Sequence, residues 1–499
     1  MRKLLVVILL SIITLAVSCR KTQTFSDNSS KKIELSADTI TFDTVFTCVG
    51  SSTRVLMVYN NNSENLKIGS IRLEGGSSSP YSVNVDGVSG TSFNDVEIYG
   101  NDSLYVFIKV TINPTDENNP FFVEDRLIFN TNGNETTAHL TAYGQNAHYI
   151  IGKDPVYKTI GENTYRFDNC YAVTDSVNKD VHWTADKPYV IYNTAFIDSE
   201  GTLTIEAGTR VYLHGGAGLW AWSKGQLVVE GTADNPVVFQ GDRLEPFYQD
   251  EPGQWDRIWL MEAREGHGHS INHAIIRNGF IGLQLQRMLT DNMAQTDITN
   301  TIIENHTGMG IYANCYTVNA WNVVVGNCGN YCVALTGGGN YLFRHGTIAN
   351  YWTGSVRQTP ALYFDNYYNN PVDGLTYAEW FNCEIDNSII DGLRPDEFST
   401  EFYKESSDTT YRFNYCLLKT KRPHDNDMYD SCLFNKDTKF MNAKELDFHL
   451  DTLSPAIGIA NPDYAIGNLR FDLDGVDRGD APDAGAYQYI YNPERRLFR

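Results

Sequence analysis

His273-Ala274-Ile275-Ile276-Arg277-Asn278, Asn300-Thr301-Ile302-Ile303-Glu304-Asn305, Asn322-Val323-Val324-Val325-Gly326-Asn327 and His345-Gly346-Thr347-Ile348-Ala349-Asn350 are four copies of one template: a polar residue, two to four apolar or small residues, and Asn five places on. A fifth copy, Asn387-Ser388-Ile389-Ile390-Asp391-Gly392, ends on Gly. Asn and Gly are the two residues that enter the left-handed backbone region at low cost. The final Asn positions lie 27, 22 and 23 residues apart, and each copy is followed by a second short apolar strand, at 283–285, 311–312, 333–335 and 362–364. This is the period of one coil of a parallel β-helix. In such a coil a left-handed residue bends the chain between sheets, and the stacked side chains of Asn278, Asn305, Asn327 and Asn350 form a structural amide ladder.

Upstream, Leu203-Thr204-Ile205-Glu206-Ala207-Gly208-Thr209 and Gln226-Leu227-Val228-Val229-Glu230-Gly231-Thr232 resemble the opening coils of bacterial right-handed β-helix proteins of pectin-lyase-like fold. Downstream, Leu453-Ser454-Pro455-Ala456-Ile457-Gly458 and Pro482-Asp483-Ala484-Gly485-Ala486-Tyr487 look like the segment that closes many of them. The resemblance covers 183–487 and implies a right-handed parallel β-helix, with a connector and cap over 148–182, a closing segment over 451–487 and a tail at 488–499.

Between 32 and 147 the pattern changes. Leu104, Val106, Ile108, Val110 and Ile112 alternate as on one face of a half-buried strand, and Asn132-Gly133 is a hairpin turn signal. Several short strands at this spacing make a β-sandwich. The stretch beginning at Asp43, followed by Ser79-Pro80-Tyr81-Ser82-Val83, resembles the immunoglobulin-like modules that precede other domains in Bacteroidetes surface proteins. The expected fold class is therefore all-β: an immunoglobulin-like sandwich, then the β-helix.

Met1-Arg2-Lys3 is a positive leader, residues 4–17 are an apolar run too short to span a bilayer once processed, and small Ser18 precedes Cys19. The sequence predicts a signal peptide at 1–18. Leu15-Ala16-Val17-Ser18-Cys19 resembles a bacterial lipobox, although Ala16 stands where Leu is usual; the resemblance implies that Cys19 is lipidated. The polar residues 19–31 then read as a tether. Surface-exported lipoproteins of Bacteroidetes often carry acidic residues after this Cys, whereas Arg20 and Lys21 follow here, so the side of the membrane, the outer membrane being expected, stays open.

Acidic residues outnumber Lys and Arg by 61 to 39, and the net charge of −22 repels nucleic acid and, at long range, acidic polysaccharide. A polyanion would need a local basic groove, which the sequence does not advertise. The Cys residues show no metal-ligand spacing; Cys315, Cys328, Cys332, Cys383 and Cys416 fall inside the repeat and are expected as buried thiols.

Pectin-lyase-like proteins include polysaccharide lyases, which use a basic residue beside bound calcium, and glycoside hydrolases, which use paired carboxylates on adjacent coils. Gly266-His267-Gly268 matches a short polygalacturonase signature, but the companion acidic and basic motifs are missing. The column before the Asn ladder holds Arg277, Glu304, Gly326, Ala349 and Asp391, so no two carboxylates follow one another in it. Asp472, Asp474, Asp477, Asp480 and Asp483 offer oxygens for Ca2+ without the closing Glu of a calcium loop; an acidic turn paired with Arg470 and Arg478 is expected, and no cofactor. An insertion at 351–381 is rich in rings and amides. Trp352, Tyr363, Tyr367, Tyr368 and Trp380 are its candidate glycan-binding residues, since rings stack on the apolar face of a pyranose and amides take its hydroxyls. The cluster Trp220, Trp222, Trp255 and Trp259 is expected to divide between core and surface.

The functional expectation is a non-catalytic, envelope-anchored lipoprotein presenting a β-helix to a polysaccharide or another envelope component. The alternatives are a carbohydrate-active enzyme of the lyase or hydrolase class and an adhesin or stalk. The anchor is testable directly. Cys19→Ser should release the chain from the membrane fraction of a bacterial host; a variant that still sediments with membranes after a salt wash would place the anchor elsewhere.

Overall fold

Strands dominate because apolar residues recur at every second position and Asn or Gly breaks each run. The computed structural model describes residues 24–114, 120–160, 162–288, 295–369, 376–403, 408–423 and 426–491. Cys19 with the leader 1–18, Asn370 and residues 492–499 lie outside the described residues. Among those described, the only helices are single 3-10 turns, and none is long and apolar enough to cross a membrane. The chain divides into two units, Met1–Asn146 and Ala147–Arg499.

The first unit has two sheets around one core. One orders the strands Phe25–Ser26, Asn65–Leu73, Phe121–Thr131, Asn134–Gln145 and Thr39–Phe46, with Ser92–Ile98 also on Asn65–Leu73; the other orders Glu34–Leu35, Arg54–Asn60, Asp102–Val110, Tyr81–Val85 and Val88–Gly90. Val106, Ile108 and Val110 meet Ile68, Ile71 and Phe129 in a shared apolar cluster. The Asn132-Gly133 turn joins Thr131 to Asn134 with φ of 51° and 78°, the left-handed pair that a two-residue hairpin requires.

Over the early coils of the second unit a strand pairs in parallel with the third strand after it: Thr202–Glu206 with Gln226–Glu230, Arg210–Leu213 with Val237–Gly241, and Gly218–Ala221 with Trp255–Leu260. Repetition builds three parallel ladders within one 27-stranded sheet. Register stacks like on like. Ile205, Val229, Ile271, Ile298, Ala320, Phe343, Ile385 and Phe413 form one buried column. Val211, Phe239, Ile276, Ile303, Val325, Ile348, Ile390 and Leu418 form a second. The columns converge in one core that also holds Cys328, Cys332, Cys383 and Cys416 as free thiols.

The turns explain the template. Asn278, Asn305 and Asn327 have φ of 66°, 61° and 52°. Asn327 Nδ2 donates to Asn305 Oδ1 at 2.8 Å, Asn305 Nδ2 donates to Asn278 Oδ1 at 2.8 Å, and Asn278 Nδ2 ends the chain on the Gln249 carbonyl at 2.7 Å. Asn350 departs from this scheme. It ends the strand Thr347–Asn350 outside the left-handed region, and its amide bonds main-chain groups of the rung below, donating to the Cys328 carbonyl at 3.0 Å and accepting from the Cys328 N–H at 3.1 Å. Gly392 is likewise not left-handed. The first position of the template is a second left-handed column that the sequence pattern did not single out: His273, Asn300, Asn322, His345 and Asn387 all have φ between 48° and 52°. Asn322 Nδ2 donates to Asn300 Oδ1 at 3.0 Å, and Asn387 Nδ2 donates to His345 Nε2 at 3.0 Å.

The closing segment, with Phe448 and Leu450 just ahead of it, lies on an outward apolar column. Val324 and Ala349 are covered by Phe448, Leu473 and Ala486, while Ile389 and Leu417 are covered by Leu450, Ala456 and Ala484. This accounts for the small residues at 326 and 349, since a Cβ on Gly326 would come within 2.7 Å of the Phe448 ring. Arg478 is buried and donates to Asn322 Oδ1 at 2.9 Å and to the carbonyls of Gly485 and Ala486, while burial lowers its pKa to about 10. The aspartates serve as turn caps. Asp472 accepts from the N–H groups of Asp474, Val476 and Gln488, and Asp483 accepts from those of Gly458 and Tyr489. Arg470 pairs with Asp477 at 2.6 Å, but Arg478 bonds carbonyls and an amide rather than an aspartate side chain.

Asn305 sits mid-ladder, so Asn305→Leu places a side chain that resists φ of 61° and strips two amide partners. The expected loss is about 2 to 4 kcal/mol in denaturant unfolding of the second unit, with Asn305→Gly losing less because it keeps the backbone at ease. Equal losses for the two variants would show that the left-handed turn is not what Asn supplies.

Candidate functional site

The third ladder brings Leu362–Asp365 beside Phe398–Glu401, in the register Leu362 to Phe398, Tyr363 to Ser399 and Asp365 to Glu401. Leu362, Phe364 and Phe398 are buried in the core, so the alternation of a strand turns Tyr363 and Asp365 outward. Asp365 and Glu401 thus occupy one outer column on neighbouring rungs, about 4.8 Å apart at the backbone. The same column continues through Gln286, Asn314 and Thr336 on earlier rungs, where Asn314 Nδ2 donates to Thr336 Oγ1 at 2.9 Å.

Two tyrosines tie the carboxylates together. The Tyr363 hydroxyl donates to Glu401 Oε2 at 3.4 Å and also bonds the Asp365 carboxyl; the Tyr367 hydroxyl donates to Glu401 Oε1 at 3.0 Å. The Tyr331 ring lies 5.1 Å from that of Tyr363. Asp365 Oδ1 accepts from the Gly337 N–H at 2.7 Å. Burial pushes the Asp365 pKa up to about 6, against the opposing hydrogen bonds from Gly337, Tyr363 and Tyr367 and with a further push from Glu401. Burial, then the two carboxylates, hold the Tyr363 phenol well above its ordinary range, so it stays a donor. The result is an outward-facing acid near neutrality, an exposed carboxylate on the next rung, and donors between them.

The five ring residues singled out in the sequence fall into three groups. Tyr363 and Tyr367 converge on Glu401. Tyr368 and Trp380 are exposed, and Tyr368 stacks on Tyr377 at 5.4 Å in the hairpin of Tyr367–Asn369 with Thr376–Ala378. Trp352 is not available to a ligand: only 8% of it is accessible, and its Nε1 donates to Ser355 Oγ at 2.9 Å. The insertion 351–381 is not a single excursion either. Leu362–Asp365 is a rung of the third ladder, and the extra length lies in two loops on either side of it. The first loop is pinned by the buried pair of Arg357 and Glu397, at 2.5 Å. Asn366 is buried and spends its amide on the Glu379 carbonyl and the Tyr403 N–H. Trp222 and Trp255 are buried, whereas Trp220 and Trp259 are half-buried and meet edge to face at 5.0 Å.

Asp365, Glu401 and Tyr331 were missed in the sequence. Tyr363-Phe364-Asp365 and Ser399-Thr400-Glu401 share one in-out pattern, but the loops between them hide their common register. A separate cavity of about 740 Å³ lies between Asn272, Asn300, Trp321 and the closing-segment residues Phe471 and Asp472. Its amides are engaged with one another, and Asn322 with Arg478, so it reads as a structural seam. Among the described residues no three His, Cys, Asp or Glu side chains are grouped to hold a metal ion.

No protein-family model matches the chain, and no curated relative matches it. Among solved structures, a family 123 glycoside hydrolase from Clostridium perfringens is similar over 22% of this chain, at 10% identity and a TM-score of 0.17. The match spans 25% of that hydrolase's length. A PapD-like domain of human CEP192 is similar over 25% of this chain and 91% of its own, at 16% identity and a TM-score of 0.16. The E. coli chaperone DraB is similar over 23% of this chain and 55% of its own, at 13% identity and a TM-score of 0.17. TM-scores this low carry no inference about the fold or activity of this chain.

The raised pKa of Asp365 gives a signed prediction. The folded chain holds this proton up to about pH 6 and the unfolded chain only to about 3.8, so the stabilisation is complete below 3.8 and is lost as pH rises through 6. The loss is at most about 3 kcal/mol. Asp365→Asn should therefore raise the melting midpoint at pH 7.5 relative to the parent and leave it unchanged near pH 3.5. A shift of the same size at both pH values would contradict the assignment.

Proposed function

We propose that this chain is a bacterial envelope lipoprotein held through Cys19, with an immunoglobulin-like sandwich followed by a right-handed parallel β-helix of the pectin-lyase-like class, and that it binds a neutral or mixed polysaccharide. The repeat period and the parallel pairing of every third strand support the β-helix reading. The observation that carries the function is the convergence of Tyr363 and Tyr367 on Glu401 beside Asp365, next to a hairpin that exposes Tyr368 and is followed by exposed Trp380. Rings of this kind stack on a pyranose face, and carboxylates and phenols take its hydroxyls. The net charge of −22 disfavours a polyanion as the main ligand.

A second reading, glycoside hydrolysis, is favoured by one specific observation: the carboxyl of Asp365, raised to about 6, faces a second carboxylate on the next rung. A protonated carboxyl can donate to a leaving oxygen while its partner acts as base or nucleophile.

The test is a glycan panel applied to the full chain in detergent, read for retention and for new reducing ends. Retention without products is expected, weakened about tenfold by Tyr363→Phe together with Tyr367→Phe, as loss of two modest hydrogen bonds implies. Reducing ends that vanish in Asp365→Asn would establish the hydrolase in place of the binding protein. No retention on any glycan would refute both and favour an adhesin or stalk.

A further inference from the structure

Two turns at the last rungs bring Lys436 beside the basic run Lys419-Thr420-Lys421-Arg422. Leu417–Leu418 and Leu433–Phe434 are register neighbours, so the turns that leave them, 419–422 and 435–437, run side by side. With Tyr351 they line a cleft of about 650 Å³. Lys419, Lys421, Arg422 and Lys436 face it against two carboxylates, Asp391 and Asp437. Both carboxylates are already engaged. Asp391 accepts from the Tyr351 hydroxyl at 3.0 Å and lies 3.4 Å from Lys419, and Asp437 lies 3.7 Å from Lys439. Lys419 is also committed to the Gly392 carbonyl, and Arg422 donates to Thr400 Oγ1 at 2.8 Å. Among the described residues, neither Lys421 nor Lys436 has a carboxylate partner.

The backbone that carries these cations is fixed. Thr420 N–H donates to Asn435 Oδ1 at 3.0 Å, and Asp396 Oδ1 accepts from Thr420 Oγ1 at 2.9 Å and from Lys421 N–H at 3.2 Å. Even with Asp396 beside Thr420 and Lys421, four cations face three carboxylates here, a local positive excess on pinned turns in a molecule of net charge −22, and such a spot attracts an anion. We infer that this cleft binds an oxyanion, a carboxylate or a phosphate, carried by a small molecule or a sugar acid. It is a local basic groove built on the run Lys419-Thr420-Lys421-Arg422 and completed by Lys436 from the turn one rung on. The inference stands independently of the Asp365 and Glu401 face, which shares none of these residues.

The full chain in detergent, titrated calorimetrically at low ionic strength with inorganic phosphate, glucuronate and glucose, tests it. At least one anion should bind, more weakly as salt rises, and Lys421→Gln with Lys436→Gln should lower that affinity tenfold or more at an unchanged melting temperature. Lys421→Arg should retain it. Phosphate alone binding would assign a tetrahedral ligand, and glucuronate alone a carboxylate; either supports the inference. Binding of neither anion, or equal binding by the Gln variant, would overturn it, as would glucose binding that falls in that same variant.

Discussion

The constraint on which the second unit depends is vertical register: each rung must place every residue over its equivalent in the rung before. A slip of one position would send Ile298 or Ile303 to the surface and Asp297 or Glu304 into the core. Left-handed residues open all five copies of the template and close the first three, so each bend falls at the same place in the coil. The bonds from Asn327 to Asn305 to Asn278 read one rung against the next. Once register is set, side chains far apart in sequence are brought together without further design. Asp365 meets Glu401 in this way, and Lys421 meets Lys436.

The same geometry leaves an outward apolar column that needs a cover. The closing segment supplies it with Leu473 and Ala486, joined by Phe448 from just ahead, and locks on through Arg478, whose guanidinium reaches the amide column at Asn322. His449 ties two parts of that cover, lying 2.6 Å from Asp447 and 2.8 Å from Asp474 and stacking on Tyr487 at 3.9 Å. Its pKa is raised chiefly by the hydrogen bond with Asp474, so this clasp is strongest when the imidazole is charged and weakens as pH rises through its folded pKa. Of the aspartates near the C-terminus, Asp472 and Asp483 cap turns, Asp477 pairs with Arg470, and Asp474 holds the histidine clasp.

How much of this the sequence disclosed follows from what each signal encodes. The template around Asn278, Asn305 and Asn327 was legible because the left-handed region admits few residue types, and the Asn132-Gly133 hairpin for the same reason. The first-position column went unread because His273 and His345 stand in it beside Asn, and a mixed column does not look like a signal. Asn350 matches the template in letters, yet the long loop after it lets its amide turn to the backbone of Cys328. Of the rings in 351–381, composition could not tell Trp352, buried against Ser355, from Trp380, which is exposed. Carboxylate pairing was sought in the column of Glu304 and Asp391, whereas it lies in the third ladder, where two loops of unlike length separate Asp365 from Glu401.

Stacked amides that hold rungs in register must be energetically coupled, not merely close. A double-mutant cycle on Asn278→Ala and Asn305→Ala, followed by denaturant unfolding of the full chain, measures that coupling with the Gln249 and Asp250 carbonyl bonds cancelled. The stacking account predicts a coupling of about 1 kcal/mol or more. Losses that add to within about 0.3 kcal/mol would contradict it.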